Sequence, residues 1–153
     1  MLHLCLAPAG IRRMDFVEGA HGGGPKLQDL LEELAQDGPI ALLPQGTDFQ
    51  SAVWAEMWKV PHGGTVTYGG LAARLGSPRS AQAVGGAVGA NPIAILLPCH
   101  RVLPAGGGFG GFRWGVSRKR RFLEWEAEGV DVLEELLEVE KILIGDEIVK
   151  GYL

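Results

Sequence analysis

Cysteine is scarce. Cys5 and Cys99 are the only two in 153 residues, too few for a disulfide framework, and the expected setting is reducing and cytosolic. No apolar run reaches the roughly 18–20 residues that a membrane span needs. The apolar start, Met1 to Ala9, carries no basic segment, so a secretory leader is not expected. His3, Cys5 and His21 share no convincing metal-ligand spacing, and neither a metal nor another cofactor is expected. Internal repeats of useful length are absent. Glycine, by contrast, is abundant, with 24 residues where average usage would give about half as many. With 46% hydrophobic and 21% charged residues the chain can bury a core and is not disordered by composition.

The net charge of −4 conceals a division. Residues 1–123 hold 12 Lys/Arg against 8 Asp/Glu, whereas residues 124–153 hold 2 Lys against 10 acids. A basic body thus carries an acidic tail. A basic body is compatible with a polyanionic partner, although so small an excess decides nothing alone.

Leu2–Leu6 and Ile11–Phe16 flank a turn at Pro8-Ala9-Gly10 and read as a β-hairpin. After the break at Gly22-Gly23-Gly24-Pro25, leucines at 27, 30, 31 and 34 predict a helix over Lys26–Gln36. Ile40–Leu43 can add a third strand, and Gln45-Gly46 reads as a linker. Thr47 and Gln50 have capping-box spacing before a helix with Phe49, Val53, Met57 and Val60 on one face, stopped by Pro61. Thr67 can cap a short helix that Gly76 ends. Ser77-Pro78 then starts a second, as N-cap and first helical residue, with Asn91-Pro92 closing it. Two short helices joined tightly read as a helix-turn-helix.

Ile93–Leu97 is a buried apolar run leading into Pro98-Cys99-His100-Arg101-Val102. The glycines at 106, 107, 108, 110 and 111 formally match a dinucleotide fingerprint, but no βαβ context surrounds them. A loop bending closely around a ligand or a neighbouring strand is the better reading. Ser117 is placed to cap a basic amphipathic helix, whose Arg118-Lys119-Arg120-Arg121 run reads first as a solvated face. Val132, Leu136, Val139 and Leu143 line one side of an acidic helix in the tail, a stripe that must bury against something.

Cys99 is the residue to explain. A lone cysteine among apolar neighbours is ordinarily inert core. Here Pro98 fixes the backbone before it, while His100 and Arg101 supply basic groups beside it. A nearby imidazole lowers the cost of forming the thiolate, the nucleophilic state. Neighbouring side chains diverge, so a water or a further acid must connect Cys99 to His100.

The stretch Pro98-Cys99-His100-Arg101-Val102 resembles the active-site signature of the O6-alkylguanine-DNA alkyltransferases, also called methylated-DNA–protein-cysteine methyltransferases. The resemblance runs in order from Thr47 to Glu126 through Phe49-Gln50, Val53-Trp54, Thr67-Tyr68-Gly69, Ala83-Val84-Gly85, Asn91-Pro92, Gly115, Lys119 and Leu123. Phe112-Arg113-Trp114-Gly115-Val116-Ser117-Arg118-Lys119 is similar to the bacterial adaptive-response members. The resemblance implies a small N-terminal α/β domain (1–46, shortened) and a mainly helical DNA-binding domain with the helix-turn-helix (47–126), whereas the acidic helical extension (127–153) is read from its charge and apolar stripe alone.

The resemblance also implies roles. Cys99 would accept the alkyl group in one displacement, His100 would deprotonate it through a water, and Glu126 would hold and polarise His100. Tyr68 would donate to guanine N3 as the base leaves, Asn91 would brace the active-site turn, and Cys99, Val102 and the Phe112-Arg113-Trp114 loop would line the base pocket. Ala81, Gln82, Arg79 and Arg101 would meet DNA. Gln82 stands where the family carries an arginine that fills the stack after base flipping, and Arg79, one turn earlier, lies along roughly the same face. The implied partner is double-stranded DNA bearing O6-alkylguanine, met by a cytoplasmic monomer that no membrane engages. A damage sensor that binds such DNA without repairing it is the alternative. The presence of Cys99 argues against it. A Cys-His-Glu hydrolase fits less well, since no oxyanion-hole pattern is evident.

Overall fold

The structure, a computed structural model, describes residues 2–7, 10–16, 36, 41–139 and 142–144. The chain divides into two compact units, one of Met1–Gln45, Pro92–Ala94 and Leu133–Leu153, the other of Gly46–Asn91 and Ile95–Val132. The first is α/β in character and the second mainly helical.

In the first unit β1 (Leu2–Ala7) and β2 (Gly10–Phe16) pair antiparallel, with Leu2 opposite Phe16 and a register shift between Cys5 and Leu6. The expected hairpin is therefore present. Pro8 and Ala9 of its turn, the glycine break at 22–25, the predicted helix before Gln36, and Ile40 lie outside the described residues. The predicted third strand is represented by one parallel bridge from Leu42 to Ile11, where the Ile11 N–H donates to the Ala41 carbonyl at 2.8 Å. Met14 makes a second bridge: its N–H donates to the Pro92 carbonyl at 2.9 Å, and its carbonyl accepts from Ala94 at 2.8 Å. Ile11, Met14, Ile93 and Ala94 are fully buried.

The second unit opens on Thr47, which caps α1 (Asp48–Trp58) with both halves of the expected capping box in place. Val53, Trp54 and Met57 form the buried face, continued by Val60, whereas Phe49, expected among them, is 41% exposed. Trp54 is the residue the helical pattern omitted. Its indole Nε1–H donates 2.8 Å to the Ala87 carbonyl. Gly46 is more than a linker, because a Cβ there would come within 2.5 Å of the Trp54 ring.

Next, β3 (Val66–Thr67) leads directly into α2 (Tyr68–Arg74), where the Thr67 hydroxyl accepts from the Gly70 N–H at 2.9 Å. The second helix differs from expectation. Pro78–Ser80 form a single 3₁₀ turn, and α3 runs Ala81–Gly89, ending before Asn91. Neither Ser77 nor Ser80 makes a side-chain cap. The Ser80 N–H instead bonds the Ser77 carbonyl at 2.8 Å, closing the tight turn that Pro78 favours. Further on, β4 (Val102–Leu103) pairs parallel with β3, Val66 opposite Val102. Helix α4 (Val116–Ala127) begins after Gly115 at φ +97°, so Ser117 lies inside its first turn and is not the cap. Its buried residues are Lys119, Phe122 and Glu126, one face at spacings of three and four.

The tail departs from a continuous helix. Helix α5 (Val132–Val139) buries Val132 and Leu136, and β5 (Ile142–Ile144) then lies parallel to β1, with Leu143 opposite His3. Leu143 therefore leaves the predicted helical stripe. The Ile-Leu-Ile triplet suits a strand, since β-branched side chains favour the extended backbone. Residues 140–141 and 145–153 lie outside the described residues.

Trp54 links α1 to α3 by a buried hydrogen bond, and its loss should register in stability. Trp54→Phe is expected to cost about 1–3 kcal/mol in urea unfolding, through the lost bond and reduced packing. An unchanged midpoint would show that the indole N–H contributes nothing.

Candidate active site

The two-residue parallel pairing of β3 and β4 does the positioning. Tyr68 follows β3 as the first residue of α2, and the 3₁₀ turn Cys99–Arg101 runs directly into β4. Tyr68 and Cys99 thereby come to line one cavity of about 480 Å³ with Gly85, Val88, Gly89, Gly111, Phe112, Arg113 and Trp114. Val102 is not in that lining. It is fully buried, and its carbonyl accepts from Lys119 Nζ at 2.7 Å.

The turn before Cys99 is held tightly. Asn91 is fully buried and donates from Nδ2 to the Leu97 carbonyl at 2.8 Å. Ile95 sits at φ +67°, a backbone state that costs a β-branched residue about 1–3 kcal/mol. The Cys99 N–H bonds the Leu97 carbonyl, and the Arg101 N–H bonds that of Pro98.

Cys99 is 3% exposed, and burial pushes its thiol up to about 11, against weaker opposing effects from the Asn91 side chain and the Lys119 charge. At neutral pH it is therefore a thiol. His100 Nε2 lies 2.8 Å from Glu126 Oε1, and both residues are buried. Glu126 is held down at about 2: burial opposes its ionisation, and hydrogen bonds from His100 and Arg101 outweigh that. An ionised carboxylate fixes the hydrogen on Nε2, which leaves Nδ1 with the lone pair. Nδ1 is buried and bonds no protein group among the described residues. Burial pushes the imidazole below its ordinary value, so the neutral base prevails at pH 7.

Tyr68 is half-buried and its phenol is pushed up, first by burial and then by Cys99, so it stays a proton donor. Lys119, which the sequence placed in a solvated basic run, is fully buried. Its Nζ stands 5.8 Å from the Tyr68 ring centroid and 5.9 Å from that of Phe112. No periodicity flagged it, although the three-and-four spacing to Phe122 and Glu126 carries the signal. The Phe122 ring supports His100 edge-on at 5.6 Å and Phe112 at 6.2 Å. Phe112 in turn meets Trp114, whose face carries the Arg113 guanidinium at 5.6 Å.

In the glycine loop a Cβ at Gly106, Gly107 or Gly108 would meet no protein atom within 4 Å, and Gly107 and Gly108 sit at φ +90° and +74°, turns that favour glycine. Gly110 is tight, with φ +65°, and a Cβ there would fall 3.2 Å from Pro104 and 3.7 Å from the Tyr68 hydroxyl. Ala81, Gln82 and Arg79 lie away from the cavity lining, with Gln82 and Arg79 exposed. Arg101, expected at DNA, turns inward: Nε and Nη2 bond Glu126, and Nη1 donates 2.7 Å to the Val60 carbonyl. Among the described residues no group of three or more His, Cys, Asp or Glu side chains is placed to hold a metal, and no helix is long and apolar enough to cross a membrane.

A buried cysteine and a tyrosine thus line one cavity, with a carboxylate-bound histidine next to the cysteine. The family model for the 6-O-methylguanine DNA methyltransferase DNA-binding domain matches residues 48–128, and the chain belongs to that family. Methylated-DNA–protein-cysteine methyltransferases of Mycobacterium tuberculosis and Mycobacterium bovis are 50% identical over 82 residues, 54% of this chain and 50% of theirs. That of Haemophilus influenzae is 46% identical over 87 residues, 57% of this chain and 49% of its own. The matched stretch spans about half the length of these curated relatives. The crystal structure of Mycobacterium tuberculosis OGT in complex with DNA superposes with a TM-score of 0.69 at 32% identity, covering 90% of this chain and 92% of that one.

The depressed Glu126 carboxyl links the site to acid stability. Its folded value of about 2 lies below the reference 4.5, so its contribution is complete above pH 4.5 and lost as pH falls through about 2. Glu126→Gln should therefore be less stable than wild type at pH 7 by on the order of 3 kcal/mol, with the gap closing toward pH 2. A gap that does not change with pH in urea titrations would contradict this.

Proposed function

We propose that this protein removes alkyl groups from O6 of guanine in double-stranded DNA by transferring them irreversibly to Cys99, one turnover per molecule. The carrying observation is the meeting of Cys99 and Tyr68 on one cavity, with the His100–Glu126 pair behind the thiol. The names of the relatives and the DNA in the mycobacterial structure support the same reading.

In the proposed reaction the thiol proton passes through a water to His100 Nδ1. Sulfur attacks the alkyl carbon, the S–C bond forms, and the C–O6 bond breaks. The departing guanine takes its electron pair and gains a proton at N3 from the Tyr68 hydroxyl, which is replenished from solvent. Thiol and O-alkylguanine thus become thioether and guanine with no proton gained or lost overall. Lys119, beside both the thiol and the phenol, offsets the negative charge that each step develops. Asn91 supports the turn that presents Cys99, while Phe112, Arg113 and Trp114 wall the base pocket. The protein is read as cytoplasmic, monomeric and cofactor-free.

Gln82, exposed near the start of α3, favours a second reading, a sensor that binds alkylated DNA and repairs it slowly. Glutamine is shorter than arginine and a weaker stacking partner for an opened duplex.

Incubation with a duplex containing O6-methylguanine should add one methyl, about 14 Da, to Cys99 and stop at one equivalent, since water does not displace a thioether. Sustained turnover, or a methyl mapped to another residue, would sink the proposal. Gln82→Arg should accelerate transfer from duplex DNA more than transfer from free O6-benzylguanine, because extruding a base costs a few kcal/mol. Equal acceleration of both substrates would place Gln82 in the chemistry of the pocket instead.

A further inference from the structure

Arg101 uses every nitrogen of its guanidinium inside the protein. Nη2 lies 2.7 Å from Glu126 Oε1, and Nε stands 3.1 and 3.0 Å from the two carboxylate oxygens. Nη1 donates to the Val60 carbonyl just beyond the end of α1, where helix carbonyls favour a cation. The side chain is 15% exposed, against 2% for Glu126. A phosphate contact would have to compete with all of these bonds. The same Oε1 accepts from His100 Nε2, so one oxygen serves the imidazole and the guanidinium together. Oε2 also accepts the Gly63 N–H at 3.3 Å.

We propose that Arg101 is a positioning residue that acts through Glu126, sharing its carboxylate with His100 so that the imidazole is oriented yet remains a neutral base. An unshared buried carboxylate beside an imidazole would favour the imidazolium, which has no lone pair for the thiol proton. Arg101 supplies the compensating charge. Three charged groups bear on His100, Glu126 and Lys119 from α4 and Arg101 from its own turn, with the non-titrating Phe122 ring against its edge. Arg101 and Lys119 hold the imidazole down and Glu126 holds it up, with burial the largest effect.

This inference rests on the alkyl-transfer reading for its kinetic test and not for its spectroscopic one. The imidazole of His100 is followed by NMR against pH in the full chain, and single-turnover methyl transfer from an O6-methylguanine duplex is measured over the same range. In Arg101→Gln the His100 midpoint and the acid limb of transfer should both move to higher pH by about one pH unit. Arg101→Lys, which keeps the charge, should leave both near their wild-type positions. A rate that falls equally at every pH with the midpoint unmoved would overturn the proposal, as would a Lys variant that shifts as far as Gln. If wild type transfers no methyl at any pH, the alkyl-transfer reading fails and the imidazole titrations alone decide the role of Arg101. Should Arg101→Gln not fold, Glu126→Gln is compared with the Arg101→Gln/Glu126→Gln double variant. Because Arg101 acts through the carboxylate, its removal in the Glu126→Gln background should raise the His100 midpoint by much less than about one pH unit, and a double variant raised by a full unit would overturn the proposal.

Discussion

The interaction on which the site depends is the buried carboxylate of Glu126. An ionised carboxylate so deeply placed is tolerated only when its lone pairs are met, and His100, Arg101 and the Gly63 N–H meet them. Those partners come from two separate parts of the chain, the turn after α1 and the turn bearing Cys99, while the carboxylate itself is carried by α4. Satisfying one charge therefore draws three segments together. Arg101 extends the link to the Val60 carbonyl, so the end of α1 is held by the same network. The orientation of the imidazole follows from this anchoring.

The thiol sits at the other pole of the same electrostatics. Burial holds Cys99 neutral at about 11, which keeps it unreactive toward stray electrophiles, because the thiolate is the nucleophile. Lys119 and Asn91 oppose that effect without overcoming it. In the proposed transfer, ionisation is therefore coupled to a base. Lys119 is itself desolvated, and its ammonium is tied to the Val102 carbonyl, so its charge is fixed in place before any reaction begins. A charge already in place need not reorganise as sulfur becomes anionic.

Much of this was legible in the sequence, and the remainder has identifiable causes. Thr47 and Thr67 announce their helices because a capping hydroxyl acts locally, within three residues. Ser77 and Ser117 carry the same chemistry but do not cap, since Pro78 and Gly115 set the backbone around them. Charge misled twice. Lys119 stands in a run of four cations, and Arg101, within the Pro98–Val102 signature, reads as a DNA contact, yet both turn inward to carbonyls and a carboxylate distant in sequence. The parallel pair of Val66–Thr67 with Val102–Leu103 is two residues long and leaves no periodicity to read. Its effect on the site is nevertheless large, because it sets Tyr68 beside the cysteine turn.

The 3₁₀ geometry of Cys99–Arg101 explains how three adjacent residues can have three separate surroundings. Successive side chains in such a turn diverge by about 120°. Cys99 faces the cavity, His100 reaches into the core beside Phe122, and Arg101 reaches toward Val60. Divergence forbids a direct thiol–imidazole bond, so the connection must be made by a small molecule between them, which is the place a water takes in the proposed transfer. An extended strand would send Cys99 and Arg101 to the same side. The guanidinium would then compete for the cavity, and Glu126 would lose the partner that balances its charge. The compact turn thus allows an imidazole, a guanidinium and a thiol to be adjacent in sequence while facing three separate surroundings.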